Sequence, residues 1–448
     1  MSRLLFSGAR LLCPYNGLDS VGDVLLEDGR IVQVRLGGGL DVESAERLDC
    51  RGLVLAPGFV DLHTHLREPG EEHKETIATG ARAALAGGFT TLCAMPNTRP
   101  ALDSRTAIEM VRERAEGVGV SVLPIGAITK GRAGDVLAPH RSMADAGAVA
   151  FSDDGSPVSD SGMMRRALEY SEPTGLPIVS HCEEYALSRG GAMHEGAVSA
   201  RLGLPGAPAS AEEVMVRRDV ALARETGGRL HVAHLSTSGA VDAVREARAR
   251  GLAVTAEVTP HHLLLTDEWV AGWGKLDGAG RDRSRLGATA YDTSTKVNPP
   301  LRSEEHVRAV LEGVQDGTID AIATDHAPHS SLDKDCEYGC AAFGISGLET
   351  ALGLLLHLVH RGDLALERLV SLLTLGPSRT FGLSADGIRE GAAARLTLFD
   401  PELEWIVDGE QLLSKGKNTP LHGHRLRGKV WMTIAGDRTY RSNELEAR

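Results

Sequence analysis

The chain has 448 residues, 42% hydrophobic and 24% charged, proportions that suit a large enzyme core with an accessory unit. A formal net charge of −13 and a pI near 5.7 exclude the concentrated Lys and Arg surface that nucleic acid demands. No apolar run approaches the roughly 18 residues of a membrane span, and six cysteines over this length make no disulfide framework, so a reducing cytoplasm is the expected setting.

The start, "MSRLLFSGARLLC", lacks a signal-peptide h-region and small-residue cleavage site and reads as a strand. "VGDVLLEDGRIVQV" predicts a hairpin turning on Asp28-Gly29, and "RLDCRGLVLAP" a further strand up to Pro57. The pattern then changes to short apolar strands alternating with Ala-, Arg- and Glu-rich helical stretches. The strands are "GFVDLHTH", "GFTTLCAMP", "VSVLPIGAIT", "GAVAFSDD", "LPIVSHCE", "RLHVAHLS", "LAVTAEVTPHH" and "DAIATDHAP". Helical candidates such as "HKETIATGARAALAG", "SRTAIEMVRERAE", "AEEVMVRRDVALARETG" and "AVDAVREARARG" separate most of them. Eight such repeats predict an α/β fold with a (β/α)8 barrel over residues 56–389, its parallel strands apolar because both faces are covered. A doubly wound open sheet competes, but polar residues gather at the C-terminal ends of strands along the whole chain, where a barrel converges them. Residues 269–294, rich in Gly, Arg and Asp, predict a long surface excursion and are a candidate mobile segment. Strands return in "ARLTLFDPELEWIV" and "GKVWMTIAGDRTY", so residues 1–55 and 390–448 are expected to pair into one small β-sandwich domain.

The strand ends carry the chemistry. Strand one ends in His63 and His65, strand four in Asp153 and Asp154, strand five in His181, strand six in His231 and His234, and strand eight in Asp325, His326 and His329. Residues i and i+2 of a strand face the same side, so His63 and His65 can both enter the barrel mouth. A lone strand-end histidine is more often a hydrogen-bonded structural residue than a ligand. Five strands delivering His or Asp to one rim are better explained by a metal site, because imidazole and carboxylate are the donors that zinc and similar cations accept. Four histidines and two carboxylates exceed the needs of one tetrahedral ion; two ions sharing a bridging carboxylate use them all and supply a hydroxide nucleophile near neutral pH, with a single ion as the alternative. Alternation favours Asp153 for the bridge and turns Asp154 to the opposite face. His231 and His326 are expected to be structural, and His261 and His262 at most to support ligands. Asp61 is expected to orient a ligand histidine, and Cys336 and Cys340 to be loop thiols rather than half of a zinc site.

The set "DLHTHLREPG", "AMPNT", "AFSDDG", "SHCEE", "HVAHLST", "EVTPHHL", "KVNPPLR" and "ATDHAPH" closely resembles the dihydroorotases, bacterial type I, of the metal-dependent cyclic amidohydrolase superfamily. "AAFGISGLET" and the C-terminal stretch extend the likeness over nearly the whole chain except 269–294. HxH alone is common among amidohydrolases, whereas "HLREPG", "MPNT" and "NPPLR" together are specific. The resemblance implies reversible closure of N-carbamoyl-L-aspartate to L-dihydroorotate in pyrimidine synthesis, with one or two zinc or other divalent ions. It implies metal ligation by His63, His65, His181, His234 and Asp325, with Asp153 bridging. It assigns substrate contacts to His65, Arg67, Asn97, Asn298 and His329 and to backbone groups of Phe343 and Gly344, with Asp325 as the catalytic acid–base. A homodimer and association with aspartate transcarbamoylase are further implications.

The residue types agree with those roles. Arg67 offers a forked pair of donors to a substrate carboxylate, and Asn97 and His329 can complete the clamp. Asn298 suits the neutral ring amides, and Asp325 can take a proton from the nucleophile and return it to the ring nitrogen. Plainer roles exist for three of these: Arg67 as an ion-pair partner of Glu68 or Glu71, and Asn97 and Asn298 as turn residues. Other cyclic amide hydrolases, the hydantoinases, dihydropyrimidinases and allantoinases, are the nearest rivals; they usually bridge their metals with a carboxylated lysine at the strand-four end, which here reads "FSDD". A rival of another class is an inactive homologue scaffolding a transcarbamoylase. The loop "SSLDKDCEYGCAAFG" is a candidate for closing over substrate.

Overall fold

The computed structural model describes residues 3–276, 283–436 and 438–442. Eight short parallel strands form a ring: Phe59–Thr64, Phe89–Ala94, Ser121–Pro124, Phe151–Ser152, Ile178–Ser180, Leu230–Val232, Val254–Val258 and Ala321–Ile322. The first three pair in order, a Gly126–Phe151 bridge joins the third to the fourth, and the fourth to eighth pair in order. A parallel bridge between Thr64 and His326 brings the eighth back to the first. The ring is therefore closed, which distinguishes a barrel from a doubly wound open sheet. Val60, Leu62, Cys93, Ile125, Val179 and Ala323 belong to one compact apolar cluster. A larger cluster, with Phe59, Phe89, Ile178, Leu230 and Ile322, packs strands against helices.

The helices start where local chemistry starts them. Thr76 caps Ile77–Ala86 by accepting from the Thr79 amide, and Ser104 caps Arg105–Arg114 by accepting from Ala107. Ser210–Thr226 and Ser238–Ala249 follow strands five and six and pack on each other. This arrangement directs every strand's C-terminal end toward one rim.

The chain ends build a second body. Arg3–Cys13, Leu18–Glu27, Arg30–Leu36, Glu46–Asp49 and Val54–Pro57 join Arg395–Ile406, Arg425–Ala435 and Arg438–Arg441 in one eight-stranded sheet. Val54–Pro57 is the seam, parallel to Arg3–Cys13 and antiparallel to Arg395–Ile406. The Asp28-Gly29 hairpin turn has φ of 48° and 74°, as its sequence requires. The sheet curls until Ile31 donates to Ala392 O at 2.9 Å and Ala394 donates to Gly29 O at 2.7 Å, around Phe6, Leu11, Val24, Leu398 and Trp431. Between its two long C-terminal strands the chain leaves this sheet and docks on the barrel, where Asn418 bonds His329, Ala327 and Gly344.

The 269–294 stretch is better anchored than its composition suggests. Trp269, Val270, Ala271, Trp273 and Leu276 are buried, Trp273 Nε1 donates to Arg285 O at 2.7 Å, and the Tyr291 hydroxyl donates to Leu202 O at 2.9 Å. Its tryptophans outweigh its glycines. Residues 277–282 of this stretch lie outside the described residues.

Candidate active site

His63 and His65 leave the first barrel strand where its register is irregular, between Asp61 and Thr64, and their ring centroids lie 5.3 Å apart. His65 Nε2 lies 3.0 Å from Asp325 Oδ1, and His63 Nε2 lies 3.6 Å from the same oxygen. His181 Nδ1 lies 3.0 Å from His234 Nε2. All five residues are buried, so side chains from strands one, five, six and eight meet at one place.

The second carboxylate is Asp154, not Asp153. Asp154 faces all four imidazoles: Oδ1 lies 3.3 Å from His63 Nε2, 3.4 Å from His181 Nδ1 and 3.5 Å from His234 Nε2, and Oδ2 lies 3.6 Å from His65 Nε2. Asp153 turns away, accepting from the Ile128 amide at 2.8 Å, the Thr129 amide at 3.1 Å and the Thr129 hydroxyl. The alternation that favoured Asp153 assumes a strand continuing through both residues, but the fourth strand ends at Ser152. Two ligand-sized groups result, His63–His65–Asp325 and His63–Asp154–His234, each with donor atoms within 4.8 Å of one another.

The outer nitrogens show what state the rings are held in. His63 Nδ1 lies 2.9 Å from Glu257 Oε1, His65 Nδ1 2.8 Å from Asn97 Oδ1, and His181 Nε2 2.9 Å from Glu183 Oε2. Each acceptor keeps a proton on the outer nitrogen and leaves the inner lone pair toward the cluster, the arrangement a metal-ligating histidine needs. His63 Nε2 and Asp154 Oδ1 are buried with no hydrogen-bond partner of their own. Burial opposes ionisation of Asp325 and Asp154, yet the His65 hydrogen bond and the His63 charge, respectively, hold both well below the usual carboxylate range. Ionised carboxylates among imidazoles demand cationic charge, and the same pull acts on His181, which burial lowers but Asp154 and Glu183 push up to about 10. The donor set and its orphaned atoms fit a divalent metal centre.

Beside the cluster lies a cationic clamp. Arg67 is 8% exposed and has φ of 59°. Its Nε donates to Pro328 O at 3.2 Å, Nη2 lies 3.1 Å from His329 Nε2, and the nearest carboxylate, Glu71, is 4.0 Å from Nη1. His234 (φ 33°) and Asp325 (φ 48°) share the left-handed backbone region with Arg67, strain of the kind that structures retain at working sites. Asn97 Nδ2 reaches Asp154 Oδ2 at 3.3 Å, so Asn97 spans two cluster residues. Asn298 Nδ2 donates to Glu183 Oε2 at 2.9 Å and lies 3.3 Å from His181 Nε2. Phe343 O accepts from His329 Nε2 at 2.8 Å. The Gly344 N–H is already given to Lys296 O at 2.9 Å and its carbonyl to Asn418. Gly344 has φ of 145°, and a Cβ there would sit 2.5 Å from Ala327 O.

Other histidines do structural work. His231 bonds Thr255 and lies 3.2 Å from Glu257, His262 bonds Thr259 and Pro299 O, and His326 contacts Glu75. His261 is buried with Nε2 unpartnered. Asp61 does not touch an imidazole: it accepts from the His63 and Thr324 amides and the Thr324 hydroxyl, tying strand one to strand eight. Cys336 and Cys340 are exposed free thiols. Glu257 and Glu183, which hold His63 and His181, escape the sequence reading. Glu183 stands in "SHCEE" two residues from its histidine, a signal within reach; Glu257 and His63 are 194 residues apart.

A model of the family described as Dihydro-orotase-like matches residues 52–240. The dihydroorotase of Anaeromyxobacter sp. (strain K) is 52% identical over 442 residues, covering 98% of both chains, and that of Pelotomaculum thermopropionicum is 50% identical over 437, covering 97% of this chain and 98% of its own. The chain belongs to the dihydroorotase family. Like other dihydroorotases it is a hydrolase of the cyclic amidohydrolase class, and that class is metal-dependent. Solved neighbours include the L-hydantoinase (dihydropyrimidinase) of Arthrobacter aurescens, with a TM-score of 0.81, 25% identity and coverage of 98% of this chain and 96% of that one. The dihydropyrimidinase of Brevibacillus agri NCHU1002, at 20% identity and a TM-score of 0.80 over 99% of this chain and 95% of its own, shares the fold. Among the described residues no helix is long and apolar enough to cross a membrane.

Proposed function

We propose that the chain interconverts N-carbamoyl-L-aspartate and L-dihydroorotate at this cluster, a step of pyrimidine biosynthesis. The observation that carries the proposal is Arg67: a buried guanidinium with no carboxylate in hydrogen-bond range, next to a cluster that suits a hydrolytic metal centre. A buried guanidinium with no carboxylate hydrogen-bonded to it is costly unless that partner arrives with the ligand. Dihydroorotate brings a carboxylate on its ring; the neutral ring of dihydrouracil does not.

His63, His65, His181, His234, Asp154 and Asp325 would hold the metal, for which zinc suits the donors. When bound, such ions lower the pKa of water and polarise a carbonyl. Arg67 anchors the substrate carboxylate with His329 packed beside it, Asn97 places its amide between His65 and Asp154, and Asn298 offers its amide to the ring. Asp325, kept ionised by His65 and His63, takes the proton from the attacking water and delivers it to the departing ring nitrogen; cyclisation runs the same transfers backward. The strand-four end carries Asp154 where the hydantoinase branch is expected to use lysine, which also favours dihydroorotate. A homodimer, association with aspartate transcarbamoylase and a cytoplasmic setting rest on the family resemblance.

The test offers dihydroorotate and dihydrouracil side by side to the metal-loaded protein. Turnover of dihydroorotate is expected; turnover of dihydrouracil alone overturns the proposal.

A further inference from the structure

We propose that Lys334, which touches no part of the metal cluster, is a positioning residue that sets the carboxylate clamp by fixing the Phe343 carbonyl. The inference rests on the assignment of Arg67 as that clamp, with His329 beside it. Lys334 ends a short helix, Ser331–Lys334, in the loop after the eighth barrel strand. A lysine in a surface loop ordinarily keeps its ammonium in water. Here the residue is 8% exposed, and Nζ points inward to three backbone carbonyls: Ala342 O at 2.6 Å, Thr293 O at 3.0 Å and Lys296 O at 3.4 Å. An ammonium has three donors, so the count matches. None of the three acceptors is a carboxylate, and a buried ammonium without a paired counter-charge is destabilising. Burial accordingly lowers Lys334 to about 7.

The cage joins two segments that each carry a substrate residue. Thr293 and Lys296 precede Asn298; Ala342 precedes Phe343 and Gly344. The Gly344 amide donates to Lys296 O at 2.9 Å, and Lys296 Nζ donates to Gly339 O at 2.8 Å while lying 4.5 Å from the centre of the Phe343 ring. Phe343 is thus held through the peptide before it by Lys334, at Ala342 O, and through the peptide after it by Lys296, at the Gly344 amide. Its own carbonyl is left facing His329 Nε2 at 2.8 Å.

That contact decides what His329 can do. Nε2 lies within bonding distance of both Phe343 O and Arg67 Nη2, but one nitrogen cannot donate to a carbonyl and accept from a guanidinium at once. Burial and the neighbouring Arg67 charge lower His329 to about 3, so the ring is neutral and carries one proton. With Phe343 O fixed at 2.8 Å the proton resides on Nε2, and Arg67 keeps its Nη2 donor for the substrate carboxylate. If loss of the Lys334 bonds lets Phe343 shift and its carbonyl leaves the ring, Nε2 becomes an acceptor and takes up that donor.

The test compares the full metal-loaded chain with Lys334→Met, which keeps the aliphatic stem and removes the three donors. The expected result is a KM for dihydroorotate raised about tenfold, the scale on which supporting residues act, with kcat and metal content little changed. An unchanged KM, or a fall in kcat and metal content at constant KM, overturns the proposal, because a simple loop staple would lower only the thermal midpoint. If Lys334→Met does not fold, Lys334→Arg retains the charge but pushes the Ala342 carbonyl outward; a raised KM with kcat retained supports the role, and an unchanged KM overturns it. Arg67→Ala separates the two levels of the argument. If it leaves KM unaltered, the clamp itself fails; if it raises KM while both Lys334 variants do not, only the positioning role fails.

Discussion

The Asp154 carboxylate lies 3.3 Å from the His63 imidazole, with an Oδ1 that is buried and has no hydrogen-bond partner, while Asp153 beside it accepts three hydrogen bonds from Ile128 and Thr129. The two carboxylates therefore predict opposite phenotypes. Asp154→Asn removes the charge that faces four imidazoles and should lower metal content and activity together, activity by about 100-fold. Asp153→Asn should keep the metal and cost roughly 1–3 kcal/mol of stability, because the 128–129 loop loses its anionic acceptor. Metal analysis after dialysis and thermal melts of both variants check this; retention of metal by Asp154→Asn with loss by Asp153→Asn would reverse the assignment.

Glu257 is fully buried between His63 and His231, 2.9 Å from one ring and 3.2 Å from the other. Burial would raise its pKa, but His231 and His63 hold it down to about 2, so it stays ionised through the working range. Glu257→Gln preserves size while weakening the grip on the His63 outer nitrogen. Metal affinity should fall about 10- to 100-fold. A chelator competition that returned the parent affinity would remove Glu257 from the metal centre.

The sequence makes the barrel legible because each strand is a short apolar run with its polar residues at one end, and the ligand histidines because several such ends carry them. Less legible is whatever depends on where a strand stops or what it meets. Alternation along a strand favours Asp153 over Asp154, but the fourth strand ends at Ser152 and does not sustain it. Glu257 is a single acidic residue in an apolar strand, and its partner is 194 residues distant, so nothing local reveals it. The burial of the 269–276 stretch was signalled by Trp269, Trp273 and Leu276, but the glycines and charges around them read as loop. Lys334 sits between Asp333 and Asp335, and nothing in that run marks its ammonium as buried.

Arg67→Lys tests whether the fork, rather than charge alone, binds substrate. Lysine carries a point charge on a flexible stem and cannot reproduce paired planar donors. KM for dihydroorotate should rise about tenfold or more, with metal content unchanged, since Arg67 bonds Pro328 O and lies against His329 rather than the metal-facing side chains. A steady-state KM equal to the parent's would return Arg67 to a structural ion pair with Glu71.

Asp325→Ala separates proton transfer from metal retention. The remaining histidines and Asp154 still offer donors, so some metal should stay bound. Turnover should nonetheless fall by about 10²–10⁴-fold, the range for loss of a general acid–base. Activity near the parent rate in a metal-loaded Asp325→Ala preparation would place proton transfer on another residue.

His140 makes stability depend on pH through a side chain outside the metal cluster. Its ring stacks on Phe151 at 4.2 Å and Nε2 donates to Ile128 O at 2.9 Å, and burial lowers its pKa from 6.5 to about 4. Between those values the unfolded chain binds a proton that the folded chain refuses. Stability from this residue is therefore complete above pH 6.5 and is lost as pH falls toward 4, by at most about 3 kcal/mol. His194, lowered to about 3 by burial and by Arg302, adds a loss of the same sign. His140→Gln retains an N–H donor and removes the titration. Denaturant unfolding of the metal-free proteins at pH 7 and pH 5 should show the parent losing about 2 kcal/mol more than the variant. Equal losses would mean that His140 titrates normally in the folded chain, and that the ring is reached by water despite its packing against Phe151.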